Sequence, residues 1–535
     1  ALTQREVILQ DLGGRFKVSL AKEIELRELD FSSLQEDPLF KYLKVPKDKD
    51  APTGRNVLDY EEHKKLLASY REQREALKKA KGREFTDAED NELKAQFAYA
   101  SNYNVYQQLY ILGNQIAYNK LYLAIKSAPT GNFAESVLSK LEGLAFGQDL
   151  RSIDASFSPS VAAVQAFNPA VGKGINRSKP DSTSLAGVNS AFVDWFEEWL
   201  RYIGLFQAGN AYLVGDDTKF VCIVPGNLSS KHLAGIYDRL LSIRAWNSMQ
   251  VDIISVLELA KFLVSKSEYQ SQVFGKRPKD VVAGVQTGYF KSLGNSKAHL
   301  NSSFIGLPGW FPVNSTQDAY VWEQILEEHI DIIKLLDESK SEQAAMLGEY
   351  RDFVSSGHIM KFLRFLATYG IHVIKKKHGN QYVRQFSDEK LRRVVMSDTG
   401  YAKVVENPGF KAIAQAIRLA TVVEQYYKSK GNQLYEVRYG LLPELKQKAR
   451  FPEQFTSAVF SFISDYNKEN ARVHEINTKK GITNIRRRHS VSDEELKQFI
   501  ELIDNHSKNP EPLAMLLLAF GTVSSSKKEE DNANA

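Results

Sequence analysis

The sequence predicts an α+β protein in which α-helices predominate, a mixed α/β N-terminal and central body followed by a C-terminal helical bundle. Three observations lead to this prediction. After Gln317, apolar residues recur at the three- and four-residue spacing of amphipathic helices almost to the end of the chain. The apolar runs at 211–214 and 219–224 are separated by Gly-Asp-Asp at 215–217, a combination typical of a β-hairpin. A helical pattern with a heavily aromatic face, Phe192–Ile203, precedes that hairpin.

These patterns divide the chain into three regions and a tail. Residues 1–150 are predicted to be mostly helical with a charged arm, and residues 151–395 to form the mixed α/β body. Residues 396–525 are predicted to form a bundle of four or five helices. Residues 526–535 are mostly polar and charged, a composition typical of disorder.

The N-terminal region contains two helical patterns of opposite character. Tyr60–Gly82 is dense in charge and is predicted to be a solvated helical hairpin arm. Residues 95–128 are rich in tyrosine, and their helical spacing favours packing into a core over stacking on nucleic-acid bases. These tyrosines are Tyr99, Tyr103, Tyr106, Tyr110, Tyr118 and Tyr122.

In the central region, Gly204 is predicted to end the aromatic helix. Residues 228–264 are predicted to form a helix, a strand over 249–256 and a second helix. Residues 274–311 contain many glycines together with lysines and arginines. They are compatible with either a second basic surface loop or an ordinary connection.

Composition favours an intracellular protein that meets any anionic partner through local patches. The chain has 535 residues, and its 70 basic and 65 acidic residues give a net charge of only +5. A single cysteine, Cys222, excludes intrachain disulfides and multi-cysteine metal sites and fits a reducing, cytoplasmic setting. We see no signal peptide, and the longest late apolar run, Leu513–Phe520, is too short to span a bilayer.

A loop rich in glycine, proline and cations runs from Phe167 to Asp181. Glycines that flank a lysine let the backbone approach a ligand closely, which suits a phosphate group or the edge of a base pair. A solvated basic loop is the alternative interpretation. The candidate binding residues are Gly172, Lys173, Gly174, Asn176, Arg177 and Lys179.

A second basic segment covers residues 371–395. Seven lysines and arginines against two acids give it a net charge of +5, equal to that of the whole chain. Such a concentration is typical of a segment that contacts phosphates, although a solvated face is the alternative. A third basic run, 479–488, contains five cations and no acid.

Catalytic and metal-binding patterns are scarce. Gly-Asp-Asp at 215–217 is compatible with a two-metal palm, but it lacks obvious carboxylate partners, and a plain turn is the favoured interpretation. The Asp217–Lys219 strand only faintly resembles a nuclease strand. His372 and His378 lie in the basic segment, where phosphate binding is favoured over metal binding. We therefore predict no catalytic residue, no metal site and no cofactor.

Three stretches resemble the large subunit of type I CRISPR effector complexes (Cascade), most closely the type I-B version. They are the loop 167–181 with the helix and strand that follow it to Pro225, the segment 437–472, and the segment 494–521. The last two are similar to the small-subunit helical bundle of such complexes. Together they cover about a third of the chain, and residues 1–150 match nothing in the family.

This resemblance implies a non-catalytic, cytoplasmic subunit. It would read the protospacer-adjacent motif on double-stranded DNA, help to unwind the target, stabilise the R-loop and recruit the helicase-nuclease. The implied partners are crRNA, target DNA with its displaced single strand, the helicase-nuclease, and the backbone, crRNA 5′-end and small subunits of the complex, without a membrane. An internal start at Met396 is a hypothesis for a separate small subunit.

The resemblance also assigns roles to the basic residues. The loop residues Gly172 to Lys179 named above would probe the motif on the duplex. The DNA backbone near the fork would be held by Lys375, Lys376, Lys377, Arg384, Arg392 and Arg393. The guide–target duplex or the displaced strand would be contacted by Arg438, Arg450, Arg486, Arg487 and Arg488.

Three other functions remain open from the residues. A palm-containing large subunit of the type I-D or type III kind would explain Gly-Asp-Asp, but it requires an HD nuclease segment that the sequence lacks. A helical scaffold that binds only proteins is possible, and it would show no nucleic-acid binding at physiological salt. An enzyme would require metal-dependent cleavage that is lost when Asp216 and Asp217 are replaced by alanine.

Overall fold

The fold is α+β and mostly helical, as predicted, with several small sheets. The computed structural model describes residues 5–25, 28–83, 86, 89, 92–93, 96, 103–111, 115–161, 193–293, 296–432, 434–482, 488–506 and 508–524. The candidate motif loop at 172–179, Tyr99, Arg486, Arg487 and the predicted tail at 526–535 lie outside the described residues.

The chain divides into two compact units. Unit 1 contains residues 1–251 and 282–304, and unit 2 contains residues 252–281 and 305–535. The predicted boundary after residue 150 falls inside unit 1, and the predicted boundary after residue 395 falls inside unit 2.

Unit 1 combines helices with three small sheets. Its strands are β1 (Val7–Asp11), β2 (Phe16–Leu20), β3 (Tyr42–Lys44), β4 (Val57–Asp59), β5 (Gly209–Val214), β6 (Asp217–Pro225), β7 (Leu228–Ser229) and β8 (Val282–Leu293), with β9 (Ser296–Gly306) ending just beyond the unit. Its helices are α1 (Phe31–Glu36), α2 (Tyr60–Lys81), α3 (Tyr103–Ile111), α4 (Gln115–Ser127), α5 (Thr130–Ala145), α6 (Trp195–Ala208), α7 (Ser230–Ser242) and the start of α8 (Ser248–Ser265).

The predicted hairpin is confirmed. β5 and β6 pair antiparallel with Val214 opposite Asp217, and Gly215 adopts a φ of +61°, a conformation that glycine reaches without a steric penalty. The pair continues into a four-stranded sheet in the order β5-β6-β8-β9. Because β8 and β9 occupy most of residues 274–311, that segment is largely sheet and not the looser connection that its glycines suggest.

The aromatic helix forms, but it does not end at Gly204. It is α6, which begins after Asp194, whose side chain accepts hydrogen bonds from the backbone N–H groups of Phe196 and Glu197. The helix continues through Gly204 to Ala208. Glycine in a helix costs only about 1 kcal/mol, and the burial of the aromatic face outweighs that cost.

The tyrosine-rich pattern packs into the core of unit 1, as its spacing predicts. The buried members are Tyr103, Tyr106, Tyr118 and Tyr122. Tyr118 contacts the rings of Phe40 and Tyr202 at centroid distances of 4.9 Å. The charged arm is one continuous helix, α2, and it is anchored by buried Tyr60, Leu67 and Tyr70.

Unit 2 is built from the larger part of α8, from Asp252 onward, and the helices that follow it. They are α9 (Ser267–Val273), α10 (Pro278–Val281), α11 (Thr316–Lys334), α12 (Ser341–Ser356), α13 (Ile359–His378), α14 (Asp388–Val395), α15 (Thr399–Glu406), α16 (Pro408–Arg418), α17 (Glu424–Ser429), α18 (Leu441–Lys448), α19 (Pro452–Lys479), α20 (Asp493–Asn505) and α21 (Glu511–Phe520). A π-helical turn, Leu419–Val423, joins α16 to α17. The strand predicted over 249–256 is wrong, because these residues form the first part of α8.

The helical bundle of unit 2 includes α13, which precedes the predicted start of the bundle at residue 396. A Cβ placed on Gly370 of α13 would lie 2.7 Å from Thr522 Oγ1, so the two segments are in close contact. Ser524 N–H donates to the Phe386 carbonyl at 2.8 Å. A product that starts at Met396 would therefore lack α13 and leave the apolar surface that packs on it exposed.

Two further predictions concern helix ends and membranes. The Ser492–Glu495 capping box is confirmed at the start of α20, where each side chain bonds the other residue's backbone N–H. Within the described ranges, none of the helices combines the length and the apolar character that crossing a bilayer requires.

Candidate nucleic-acid interface

The predicted binding residues that the structure describes all lie in unit 2. Most of the cations of the 371–395 segment pair with carboxylates. Arg392 pairs with Asp388 inside the segment at 3.0 Å. Four further pairs use carboxylates of α11 and α12: Lys375 with Glu342 (2.9 Å), Arg384 with Asp331 (2.5 Å), Lys390 with Glu328 (3.6 Å) and Arg393 with Asp318 (3.1 Å).

These ion pairs reduce the positive charge that residues 371–395 present to a ligand. Four of its cations are matched by carboxylates from outside it, so its net charge of +5 does not act as a concentrated positive field. Arg392 and Arg393 also lie over the rings of Phe520 and Phe311, at 5.1 Å and 4.7 Å from the ring centroids. These cations hold helices together.

Arg488 is enclosed in the bundle. Its side chain is 5% exposed, and its guanidinium lies 3.1 Å from Glu424 and 3.8 Å from the ring centroid of Tyr435. It donates to the Leu419 carbonyl of the π-helical turn at 2.9 Å. Glu469 pairs with both Arg488 and Arg438, at 3.8 Å and 3.4 Å.

This buried network has balanced charge, two arginines with two glutamates. Burial raises the pKa of Glu424, and Arg488 opposes that rise. The enclosed position gives Arg488 a structural role in this conformation, and the predicted phosphate contact is not supported for it. Arg450 differs, because it is exposed and has no carboxylate within ion-pair distance in the described part of the chain.

Two groups of rings and cations lie where the ends of α13 and α17 approach the loop before α18. Gln425 of α17 donates to the Ile374 carbonyl of α13 at 3.2 Å, which joins the two helices. One group is Lys428 with Tyr439 and His378, and the other is Lys430 with Tyr426. We call these two groups, together with Lys376, the basic–aromatic patch. Its members are Lys376, His378, Tyr426, Lys428, Lys430 and Tyr439.

The side chains of the patch interleave rings and cations. The His378 ring meets the Tyr439 ring edge to face at a centroid distance of 4.6 Å. Lys428 Nζ donates to the Tyr439 hydroxyl at 3.1 Å, and Lys430 Nζ lies 4.5 Å from the centroid of the Tyr426 ring. Exposed cation–π contacts of this kind contribute only about 0.5–1 kcal/mol.

The lysines of the patch make no ion pair with a described carboxylate. Among the described residues, none of Lys376, Lys428 and Lys430 has an acidic side chain within ion-pair distance. Lys376 instead donates to Gln381 Oε1 at 2.8 Å. The three ammonium groups are therefore available to an anionic partner.

The two histidines of the segment behave differently. His372 is buried in α13, and burial together with Lys376 and other lysines lowers its pKa below the ordinary value. It is neutral at physiological pH and enclosed, so the phosphate contact expected of it is not supported. His378 is exposed and belongs to the patch.

Most of the patch was not predicted from the sequence. Only Lys376 is among the predicted contacts, and His378 was considered as a phosphate-binding residue. The remaining signal is the run YYKSKG at 426–431, in which two tyrosines are followed by two lysines without an acid. The approach of this run to α13 is a tertiary contact that no local pattern reveals.

The Gly-Asp-Asp turn is integrated into the sheet of unit 1. The Asp217 carboxylate accepts hydrogen bonds from the Tyr289 hydroxyl and, at 2.7 Å, from the Ser292 backbone N–H. No group of three or more His, Cys, Asp or Glu side chains that could hold a metal ion occurs in the portion that the structure describes.

Comparison with known proteins does not assign the chain to a family. No protein-family model matches the chain, and no curated protein matches it significantly.

Proposed function

We propose that the protein is the non-catalytic large subunit of a crRNA-guided Cascade complex that binds double-stranded DNA through a short flanking motif. It would help to unwind the target, stabilise the R-loop and recruit the helicase-nuclease in the cytoplasm, as the resemblance of residues 167–225, 437–472 and 494–521 implies. The observation that carries the proposal is the basic–aromatic patch. Unpaired lysines interleaved with aromatic rings are typical of proteins that bind nucleic-acid backbones and bases.

The patch supports this function better than the net charge of residues 371–395 does. A phosphate contact requires a cation that is exposed and free of a competing carboxylate, and Lys376, Lys428 and Lys430 meet the second condition. The arginines of 384–393 would have to give up ion pairs to bind DNA. Phosphate contacts position a nucleic acid without reading its sequence, so motif recognition must come from another part of the chain.

The first test concerns the lysines. We expect Lys376→Ala/Lys428→Ala/Lys430→Ala to weaken binding of labelled DNA to the full chain for all sequences alike. Each lost phosphate contact should reduce the magnitude of the slope of log K against log salt by about 0.7–0.9, so the triple variant should lose about 2–3 units. Fluorescence anisotropy over a range of NaCl concentrations measures both quantities.

A matched control removes the same charge from ion-paired positions. Lys261→Ala/Lys340→Ala/Lys448→Ala takes away three cations that pair with Glu327, Asp337 and Glu444. We expect the control to keep nearly the wild-type salt slope. Equal slopes for both triple variants would remove the patch from the interface. A wild-type chain and a reconstituted complex that bind no nucleic acid at physiological salt would favour the protein-binding scaffold instead.

The second test concerns motif recognition, for which Lys173 and Arg177 are the candidates. In a complex reconstituted with its guide, we expect Lys173→Ala/Arg177→Ala to abolish the preference for target duplex that carries a permissive motif. Assembly of the complex should be unchanged, which size-exclusion chromatography checks. Undiminished motif preference in this variant would move the reader to another part of the chain.

A further inference from the structure

We propose that the rings of Tyr426 and Tyr439 stack on unpaired bases, so that the basic–aromatic patch binds single-stranded nucleic acid in preference to duplex. This inference rests on the proposed function, because it assumes that the patch meets nucleic acid. It goes beyond the phosphate contacts predicted for this part of the chain, since it assigns base contacts to side chains that the sequence analysis did not select.

Both rings reach the surface, Tyr426 as an exposed side chain and Tyr439 as a half-buried one. Tyr426 is 49% exposed, whereas the tyrosines of the unit 1 core are almost fully buried. Tyr439 lies in the loop before α18, held between the His378 ring and the Lys428 ammonium. Every base has a π-face, so aromatic rings at a protein surface bind single strands with little sequence preference.

The lysines place positive charge beside each ring. Lys430 lies over Tyr426, and Lys428 lies 5.2 Å from the centroid of the Tyr439 ring as well as bonding its hydroxyl. In a strand, each base is attached to a phosphate at short range, so a ring and a cation side by side match one nucleotide. An exposed cation–π contact is weaker than a base–aromatic stack, so an ammonium that moves to a phosphate uncovers the ring for the base.

A duplex cannot make this contact without unpairing, because its bases already stack on one another. An acidic peptide would pair with the lysines, but its carboxylates would not stack on the rings. Stacking therefore predicts a property that neither alternative shares: loss of the aromatic rings should affect single strands while leaving duplex binding and the salt slope nearly unchanged.

The test uses the full chain, a labelled oligothymidylate and a duplex of the same length. We expect Tyr426→Ala/Tyr439→Ala to weaken single-strand binding by about tenfold for each ring removed. Tyr426→Phe/Tyr439→Phe keeps both rings and should restore binding to within about twofold of wild type. The matched control is Tyr320→Ala, which removes a tyrosine that is 56% exposed on α11, three residues before Glu323.

The outcomes separate the two proposals. If the wild-type chain binds the oligothymidylate and the double alanine variant binds it no more weakly than Tyr320→Ala, stacking is refuted and the phosphate interface stands. An equal loss for single strand and duplex, with a smaller salt slope, also refutes stacking, because the rings would then act only by positioning lysines. A wild-type chain that binds neither probe, alone or in the reconstituted complex, overturns both proposals.

Discussion

We expect Arg488→Ala to destabilise unit 2 by about 3–5 kcal/mol, since removal of one partner leaves the other charge buried and unpaired. Glu424 and Glu469 are 4% and 7% exposed, and Arg488 lies between them. The variant also loses the hydrogen bond to the Leu419 carbonyl and the stack on Tyr435. The measurement is the midpoint of urea unfolding followed by far-ultraviolet circular dichroism.

The loss of stability caused by Arg488→Ala should depend on pH in a defined direction. Burial already raises the pKa of Glu424, and the loss of Arg488 removes the charge that opposes that rise. A carboxyl group whose folded-state pKa is raised destabilises the fold at high pH, where it must ionise, and ceases to do so once it is protonated. The difference between Arg488→Ala and wild type should therefore shrink as the pH is lowered through the raised pKa of Glu424.

Arg450→Ala is the matched control for Arg488, because Arg450 is exposed and has no carboxylate partner among the described residues. We expect its stability to lie within about 0.5 kcal/mol of wild type. If Arg488→Ala unfolds at the same urea concentration as Arg450→Ala and instead loses DNA affinity, Arg488 is a phosphate contact, as the sequence analysis predicted.

The second large effect is expected at Gly409, where α16 crosses α20. A Cβ at this position would lie 2.7 Å from the Phe499 backbone nitrogen and still closer to the Glu495 carbonyl oxygen. Both atoms belong to the backbone of a helix and cannot rotate away, so the two helices must separate. We expect Gly409→Ala to destabilise unit 2 by about 2–3 kcal/mol, the upper part of the usual range for overpacking, because the contacts are with backbone atoms.

Gly348→Ala makes the same substitution where there is space. Gly348 lies inside α12, and a Cβ there would meet no heavy atom within 4 Å. Alanine is favoured over glycine in a helix by about 1 kcal/mol, so this variant should be more stable than wild type. Urea unfolding of both variants checks the prediction, and shifts of the same sign would contradict it.

Interactions between residues that are close in the sequence determine much of the fold. The hairpin at 215–217 requires only a glycine at positive φ between two apolar runs, and the capping box of α20 requires only Ser492 and Glu495. The tyrosines of α3 and α4 follow a helical period, and this period placed most of them in the core. These features depend on residues that are neighbours along the chain.

Errors arose where burial overrides the local pattern. Residues 249–256 were predicted to form a strand, but α8 is buried on most sides and has little polar face to reveal its period. Gly204 resembles a helix end, yet the packed aromatic rings of α6 carry the helix past it.

The candidate nucleic-acid interface could not be predicted from the sequence, because its charge balance depends on tertiary contacts. Charge counted along 371–395 cannot include Glu342, Asp331 or Asp318, which pair with its cations only after the helices assemble. In the same way, Tyr439 contacts both Lys428 and His378 only after α17 has packed on α13. The sequence by itself determined the helical character of this protein and the presence of cations, because both follow from residue type and spacing. Only the tertiary structure decided which of those cations remain unmatched, because an ion pair depends on distances in space.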